Sequence, residues 1–342
     1  MPCRSCVRVT DMKHKTVPVF VPHMGCPNDC SFCNQRKITG VSTDVSPESA
    51  KKQIEEALKT MNADFVEIGF FGGSFTGIDI DVQNKFLSVA KSFLDEGKVH
   101  AVRLSTRPDY ISNDILENLA AFGVTTIELG AQSMDDGVLL KNRRGHSAKD
   151  TEKASRLIKS YGFKLGLQMM TGLFGDDDEK CKESLEKIIA LEPDCVRIYP
   201  TLVLKGTYLE ELFKSGEYIP QTIDEAVRLC ADLKERLDEE KIPVIRLGLL
   251  ASDNINPEAD VVAGPYHPSM GELVMSEIYL RRILKELNTD ADILVNPKDL
   301  SAFVGNKKSN IRRIKEAGFD VCFIADEKVS PCTFKIQRKE QR

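Results

Sequence analysis

From Val17 onward, short runs of apolar and β-branched residues alternate with stretches whose apolar positions recur every three or four residues. The first kind predicts strands, at 17–22, 65–71, 100–104, 125–129, 164–169 and 195–199. The second predicts amphipathic helices, at 47–60, 82–94, 112–122, 148–161 and 179–191. Ser46-Pro47 and Ser112 carry helix-start chemistry, and Gly97, Gly123 and Gly162 stand where helices should stop. Six β-α units in series imply a parallel sheet with helices outside it, either an open doubly wound sheet or a barrel. A further helix at 222–240 leads to an apolar run at 242–250, then to a loop rich in Asn, Pro and Gly at 253–271. Beyond it the pattern changes to a helix at 272–287, a strand at 293–295, short helices around 305–308, and strands at 321–324 and 333–336. This tail reads as a small α+β unit. The expected division is a lead-in at 1–15, the β/α body at 16–250, a connecting loop at 251–271 and the tail at 272–342.

Composition narrows the class. The chain has 342 residues, 42% hydrophobic and 29% charged, as expected of a globular protein. Neither a bilayer-spanning apolar run nor a secretory leader is expected, so the reading is a cytoplasmic protein with no membrane partner. Ten cysteines are many, but they are irregularly spaced in a chain too long to need a disulfide framework. The net charge of −5 is uneven: residues 297–342 carry 11 Lys and Arg against 6 Asp and Glu. A basic tail on an acidic body fits a polyanion contact, or simply a solvated surface helix.

The chemistry concentrates in His23-Met24-Gly25-Cys26-Pro27-Asn28-Asp29-Cys30-Ser31-Phe32-Cys33-Asn34, a loop following the first strand. Cys26, Cys30 and Cys33 are spaced C-x₃-C-x₂-C, which suits three corners of a cubane [4Fe–4S] cluster. With no fourth cysteine nearby, one iron would stay open to an outside ligand. A structural zinc site would need a fourth ligand, for which His23 is the only local candidate, and buried free thiols are the other alternative. Cys3-x-x-Cys6 is a weaker pair with no partners downstream. Cys181, Cys195, Cys230 and Cys322 sit in apolar patterns and are expected to be inert. His14, His100 and His267 have no partner in sequence.

In parallel β/α folds, ligands gather at the C-terminal ends of the strands. The polar and glycine-rich residues fall there. The second strand ends in Gly72-Gly73-Ser74, whose glycines let backbone carbonyls approach a ligand. The third ends at Ser105, and the fourth at Gln132, suited to a ribose hydroxyl. Arg144 follows in Arg143-Arg144-Gly145-His146, suited to a carboxylate. Gln168 closes the fifth strand and Tyr199 the sixth, the latter as packing or as a substrate contact.

With these motifs in this order, the chain resembles the radical S-adenosylmethionine (SAM) superfamily and, within it, the Elongator third-subunit family. The echoes are Gly72-Gly73-Ser74-Phe75, Thr106-Arg107-Pro108-Asp109, Glu128-Leu129-Gly130-Ala131-Gln132-Ser133, Asn142-Arg143-Arg144-Gly145-His146 and the run from Ile198-Tyr199 through Lys205-Gly206-Thr207. The oxygen-independent coproporphyrinogen oxidases share a weaker form. The resemblance covers residues 16–250 and implies a partial (β/α)₆ TIM-like barrel. It implies a [4Fe–4S] cluster and SAM as cofactors, an electron donor such as flavodoxin or ferredoxin, and reductive cleavage of SAM to a 5′-deoxyadenosyl radical. By that likeness Phe32, Gly72, Gly73, Ser74, Ser105, Gln132, Arg144 and Gln168 are SAM-binding candidates, and Tyr199 and Lys205 are catalytic candidates. Ser105 stands where many relatives carry a carboxylate for the ribose. The tail is too short for the acetyltransferase domain of the Elongator proteins, so uridine carboxymethylation by their route is not implied. The substrate reading is tRNA or another RNA; a tetrapyrrole or peptide, or a non-catalytic iron–sulfur scaffold, are the alternatives.

Within residues 296–336, the run Phe303-Val304-Gly305-Asn306-Lys307-Lys308-Ser309-Asn310-Ile311-Arg312-Arg313-Ile314 resembles the KH helix–loop–helix, in which a G-x-x-G loop clamps a nucleic-acid backbone. Gly305 keeps the first glycine, Lys308 replaces the second, and Gly305, Lys307, Lys308 and Arg312 are the RNA-contact candidates. The competing reading is a small cap that closes the open side of the partial barrel.

Overall fold

The computed structural model describes residues 13–21, 30–33, 45–249 and 260–338. In chain order the elements are β1 (His14–Phe20), α1 (Pro47–Thr60), β2 (Phe65–Phe71), α2 (Ile80–Asp95), β3 (Ala101–Thr106), α3 (Asn113–Ala121), β4 (Thr126–Gln132), α4 (Asp136–Lys141), α5 (Ala148–Ser160), β5 (Lys164–Thr171), α6 (Asp178–Ile189) and β6 (Cys195–Pro200). There follow β7 (Val203–Leu204), α7 (Tyr208–Ser215), α8 (Ile223–Glu239), β8 (Val244–Leu247), β9 (Val261–Ala263), α9 (Met270–Glu286), β10 (Ala291–Val295), α10 (Leu300–Val304), α11 (Ser309–Glu316), β11 (Val321–Ala325) and β12 (Phe334–Arg338).

One wholly parallel sheet dominates, in the order β1-β2-β3-β4-β5-β6-β8, curled into a half-barrel. The sequence reading of six strands is corrected to seven. The apolar run after α8 supplies β8, which pairs parallel to β6 through Val196–Val244 and Ile198–Leu247. The helices start where local chemistry tells them to. Ser46, Ser147 and Thr222 each form a reciprocal capping box, and Pro47 occupies the first turn of α1. Each parallel strand sends alternate residues outward, against the helices. Ile68, Phe70, Leu104, Ile127, Leu129, Leu165, Leu167 and Ile198 are thereby buried in one continuous core. Phe70 stacks on Phe75 and meets Phe86 edge-on, and each such ring contributes about 1.5–3 kcal/mol by leaving water.

The stretch expected to be loop at 253–271 is described from Asp260, where it forms β9, antiparallel to β7, and then the start of α9. Helix α9 belongs to two cores: Met270, Val274 and Ile278 pack with the barrel, and Tyr279, Leu280 and Ile283 with the tail. The tail has the expected order of strand, helix, tight turn, helix, strand. Its sheet is β11-β10-β12, with β11 parallel and β12 antiparallel to β10. Asn310, fully buried, donates to the Ser276 carbonyl at 3.0 Å and to the Phe303 carbonyl at 3.1 Å, fastening the helical pair to α9. Glu277 on α9 accepts from Arg281 and Arg313. No helix among the described residues is long and apolar enough to cross a membrane.

Candidate active site

Within the half-barrel, the inward positions of the lower lumen carry charge. Glu67 on β2, Arg103 on β3, Glu128 on β4 and Arg197 on β6 form a ladder across the sheet. Arg103 Nε lies 2.8 Å from Glu67 and its Nη1 donates to Glu128 at 2.6 Å; Arg197 Nη2 also donates to Glu128, at 2.9 Å. Thr16 and His14 lean on Glu67 at the far end. Gly166 makes the ladder possible, since a Cβ there would stand 2.7 Å from the Glu128 side chain. Burial works against the charge on Arg197, but the hydrogen bond and charge of Glu128 more than offset it and raise its pKa. Tyr199, two residues further along β6, is half-buried on the same face of the strand as Arg197.

Above the ladder, at the C-terminal edge, the sequence candidates converge. β4 ends in a bulge, with Gln132 in the left-handed region at φ 66° and Gln168 donating to its Oε1 at 3.1 Å. Arg144 is 7% exposed, so it is no solvated loop residue. Its Nη2 donates to the Gly130 carbonyl at 2.7 Å and its Nη1 to Cys30 Sγ at 3.4 Å, while its Nε is buried with no partner. Gly130 leaves room for both tips, since a Cβ there would come within 2.8 Å of the Gln132 amide nitrogen and 3.0 Å of Arg144 Nη2. Ser105 is half-buried at the end of β3. Gly72 turns the chain after β2 at φ 102°, with Gly73 following. The buried Ser74 hydroxyl lies 2.9 Å from that of Thr106, which in turn meets Thr76 at 2.6 Å.

Of the cluster loop, Cys30, Ser31, Phe32 and Cys33 are described; Cys26 and His23 lie outside the described residues, as do Cys3 and Cys6. Cys30 is buried, and the Cys33 amide donates to its carbonyl at 3.0 Å. Phe32 packs against the small apolar cluster of Val203, Leu209, Leu212 and Tyr218. No group of three or more His, Cys, Asp and Glu that could hold a metal is gathered among the described residues. What they do contribute fits a thiolate-bound cluster: a buried sulfur faced by a guanidinium donor.

The remaining candidates disperse. Lys205 is exposed in the turn after β7, where its backbone amide donates to the Asp260 carbonyl. Gly305 closes α10 at φ 79°, and Lys307 and Lys308 follow in the left-handed region with exposed side chains. Arg312 is exposed on α11. Burial pushes the Cys195 and Cys230 thiols up to about 12 and Cys181 higher still, in keeping with inert packing. Cys322, on β11, differs from these three in being exposed, since a three-stranded sheet buries one face only. His14 and His100 have structural partners in Glu67 and the Val66 amide.

Sequence reasoning gave no role to four residues that organise the site. Arg107 is buried and donates to both Asp109 oxygens at 2.9 Å and to the Arg144 carbonyl at 2.7 Å, setting the backbone from which Arg144 reaches inward. His146, held neutral by burial and by Arg144 and Arg107, has a pKa near 4. Ser31 and Asn142 join the cluster loop to the end of α4. A signal existed for all four, since each lies inside a motif that carries the family resemblance or the cluster spacing.

Residues 20–188 match the radical SAM superfamily model and residues 193–280 the radical SAM C-terminal domain model. A tRNA uridine(34) acetyltransferase of Methanocaldococcus jannaschii is 32% identical over 229 residues, covering 61% of this chain and 41% of that protein. Human Elongator complex protein 3 is 31% identical over 52% of this chain and 36% of its own length. The chain thus spans less than half the length of these two relatives. Among solved structures, the archaeal Methanocaldococcus infernus Elp3 lacking its N-terminus aligns with a TM-score of 0.63 and 26% identity, over 80% of this chain and 63% of that one.

Proposed function

Because the chain belongs to the radical SAM superfamily of enzymes, we propose that it binds a [4Fe–4S] cluster and SAM at the C-terminal edge of the half-barrel, cleaves SAM reductively, and thereby modifies a tRNA. When bound, the reduced cluster and SAM supply the electron and the hydrogen-abstracting power; that chemistry is the cofactors' own. The residues do the rest. Cys30 and Cys33, with Cys26, hold three irons. Arg144 sets its positive charge against the Cys30 sulfur and keeps Nε free for a further acceptor, the SAM carboxylate. Gln132 and Gln168, whose side-chain amides pair at 3.1 Å, would meet the ribose, the Gly72 and Gly73 carbonyls would take the ammonium group, and Phe32, Ser74 and Ser105 would complete the wall. His146 stays neutral, so no further cation competes beside Arg144. Tyr199, on the same face of β6 as Arg197, is the candidate for contact with the substrate.

The observation that carries this reading is the buried Arg144 guanidinium bridging Gly130 and Cys30 with its Nε left unpartnered. The tRNA substrate rests on the likeness to tRNA uridine(34) acetyltransferases and on the exposed Lys307-Lys308 loop beside Arg312, a backbone-seeking group of charges. An anaerobic assay for 5′-deoxyadenosine with reconstituted protein tests both parts. Formation in wild type and its loss in a Cys26→Ala, Cys30→Ala, Cys33→Ala variant supports the cleavage; stimulation by tRNA, absent with RNA-free buffer, supports the substrate. A wild-type protein that binds no iron and forms no 5′-deoxyadenosine would sink the reading.

A further inference from the structure

The cluster loop does not rest on its cysteines alone. Ser31, between two of them, is fully buried, and its hydroxyl donates to Asn142 Oδ1 at 2.6 Å. Its amide donates to the Asn142 carbonyl at 3.1 Å, and its own carbonyl accepts from the Leu209 amide at 2.8 Å. Every polar group of Ser31 is therefore engaged by a fixed neighbour. Asn142 is also fully buried, and its Nδ2 donates to the carbonyls of Val138 and Phe174 at 2.8 and 2.9 Å. It joins three segments in one residue: the cluster loop, the end of α4 and the loop after β5.

The next residues continue the grip. Arg143 takes the left-handed conformation at φ 53°, which turns its guanidinium outward onto the Tyr208 ring, 3.5 Å from the centroid. The same turn leaves Asn142 and Arg144 pointing inward, toward Ser31 and Cys30 respectively. Tyr208 immediately precedes Leu209, the residue that holds the Ser31 carbonyl. Segments 142–144 and 208–209 thus close on Ser31 from two sides and are stacked on each other.

We propose that Asn142 is a positioning residue for the cluster: through Ser31 it fixes Cys30 and Cys33 in the spacing that the irons require, before metal arrives. Before metal arrives no iron sets the spacing of the cysteines, so neighbours that hold the loop backbone set it instead. The inference rests on the cluster reading above and extends it to residues that touch no metal.

The test is iron retention by anaerobically reconstituted protein challenged with an Fe(II) chelator, followed at the cluster's visible absorbance. Ser31→Ala deletes the link while leaving the Asn142 backbone in place, and should release iron faster by roughly three- to tenfold, the equivalent of one neutral hydrogen bond. Asn142→Ala should release it at least as fast, and the double variant no faster than Asn142→Ala alone, because both act through one bond. The reduced cluster's electron paramagnetic resonance spectrum should broaden in Ser31→Ala, a change that a general loss of stability would not produce. Release at the wild-type rate in Ser31→Ala, with an unchanged spectrum, overturns the clamp while the cluster stands. Failure of wild type to take up iron overturns the cluster reading and the clamp with it.

Discussion

Substituting Glu128 by Gln would probe the ladder where it is most loaded. The ladder is balanced, with two carboxylates against two guanidinium groups, and Glu128 touches both of the latter. The side chains of Arg103 and Arg197 are only 11% and 12% exposed, so water cannot replace the missing carboxylate. Glutamine keeps the shape, but it leaves one surplus positive charge and sets an amide donor against a guanidinium donor. At an effective dielectric constant near 20, one pair of unit charges about 4 Å apart amounts to about 4 kcal/mol. Relief of Glu128's own desolvation offsets part of what its two ion pairs supply. The net cost expected is about 3–5 kcal/mol, the range for breaking a buried pair.

Urea unfolding followed by circular dichroism measures this, provided the slope is unchanged. The companion experiment is Glu128→Leu with Arg197→Leu. That pair removes one charge of each sign and leaves Glu67 and Arg103 matched, so most of the stability should return. A Glu128→Gln cost below about 1 kcal/mol, or a double variant no better than the single, would refute the view of the lumen as a dry, balanced charge network.

How much of this was legible beforehand differs by element. Strands 65–71 and 164–169 and helix 47–60 announced themselves because core strands buried by helices are nearly continuous in apolar residues and helix starts carry caps. Helix α4 escaped notice because six residues give too little periodicity, and α7 because it hides behind the Lys205-Gly206-Thr207 turn. The seventh strand was visible as an apolar run, yet its pairing partner is a long-range fact that no local pattern encodes. In the site, Cys30, Gln132, Arg144 and Gln168 could be singled out because their side-chain chemistry is distinctive. The ladder could not: Arg103 stands 25 residues before Glu128 and Arg197 stands 69 after it, and only sheet register brings them together. Ser31 was hidden by ordinariness, since a serine between cysteines has no chemistry until Asn142 is seen beside it.

Three further outcomes are expected. Arg144→Ala should weaken SAM binding to cluster-loaded protein by about 1.5–3 kcal/mol, the range for hydrogen bonds to charged groups, and an unchanged dissociation constant in isothermal titration would return this arginine to a purely structural role. Lys307→Glu with Lys308→Glu should lower tRNA affinity and reduce the slope of log affinity against log salt by about 1.5–2, whereas identical binding at low salt would leave the tail as a cap on the barrel. The last concerns His146, whose folded pKa of about 4 lies below its ordinary 6.5 because burial comes first and the Arg144 and Arg107 charges add to it. Above pH 6.5 the ring is neutral in both states and contributes no pH dependence. Between pH 6.5 and 4 the unfolded chain takes up a proton that the folded chain refuses, so stability falls as the pH falls, by on the order of 3 kcal/mol across the window. Below pH 4 both states are protonated and the loss is complete. His146→Gln has no such titration, so wild type should lose stability relative to the variant as urea titrations move from about pH 7 to about pH 4.5. A difference between the two that stays flat over that interval would mean that the imidazole is not held neutral between Arg144 and Arg107.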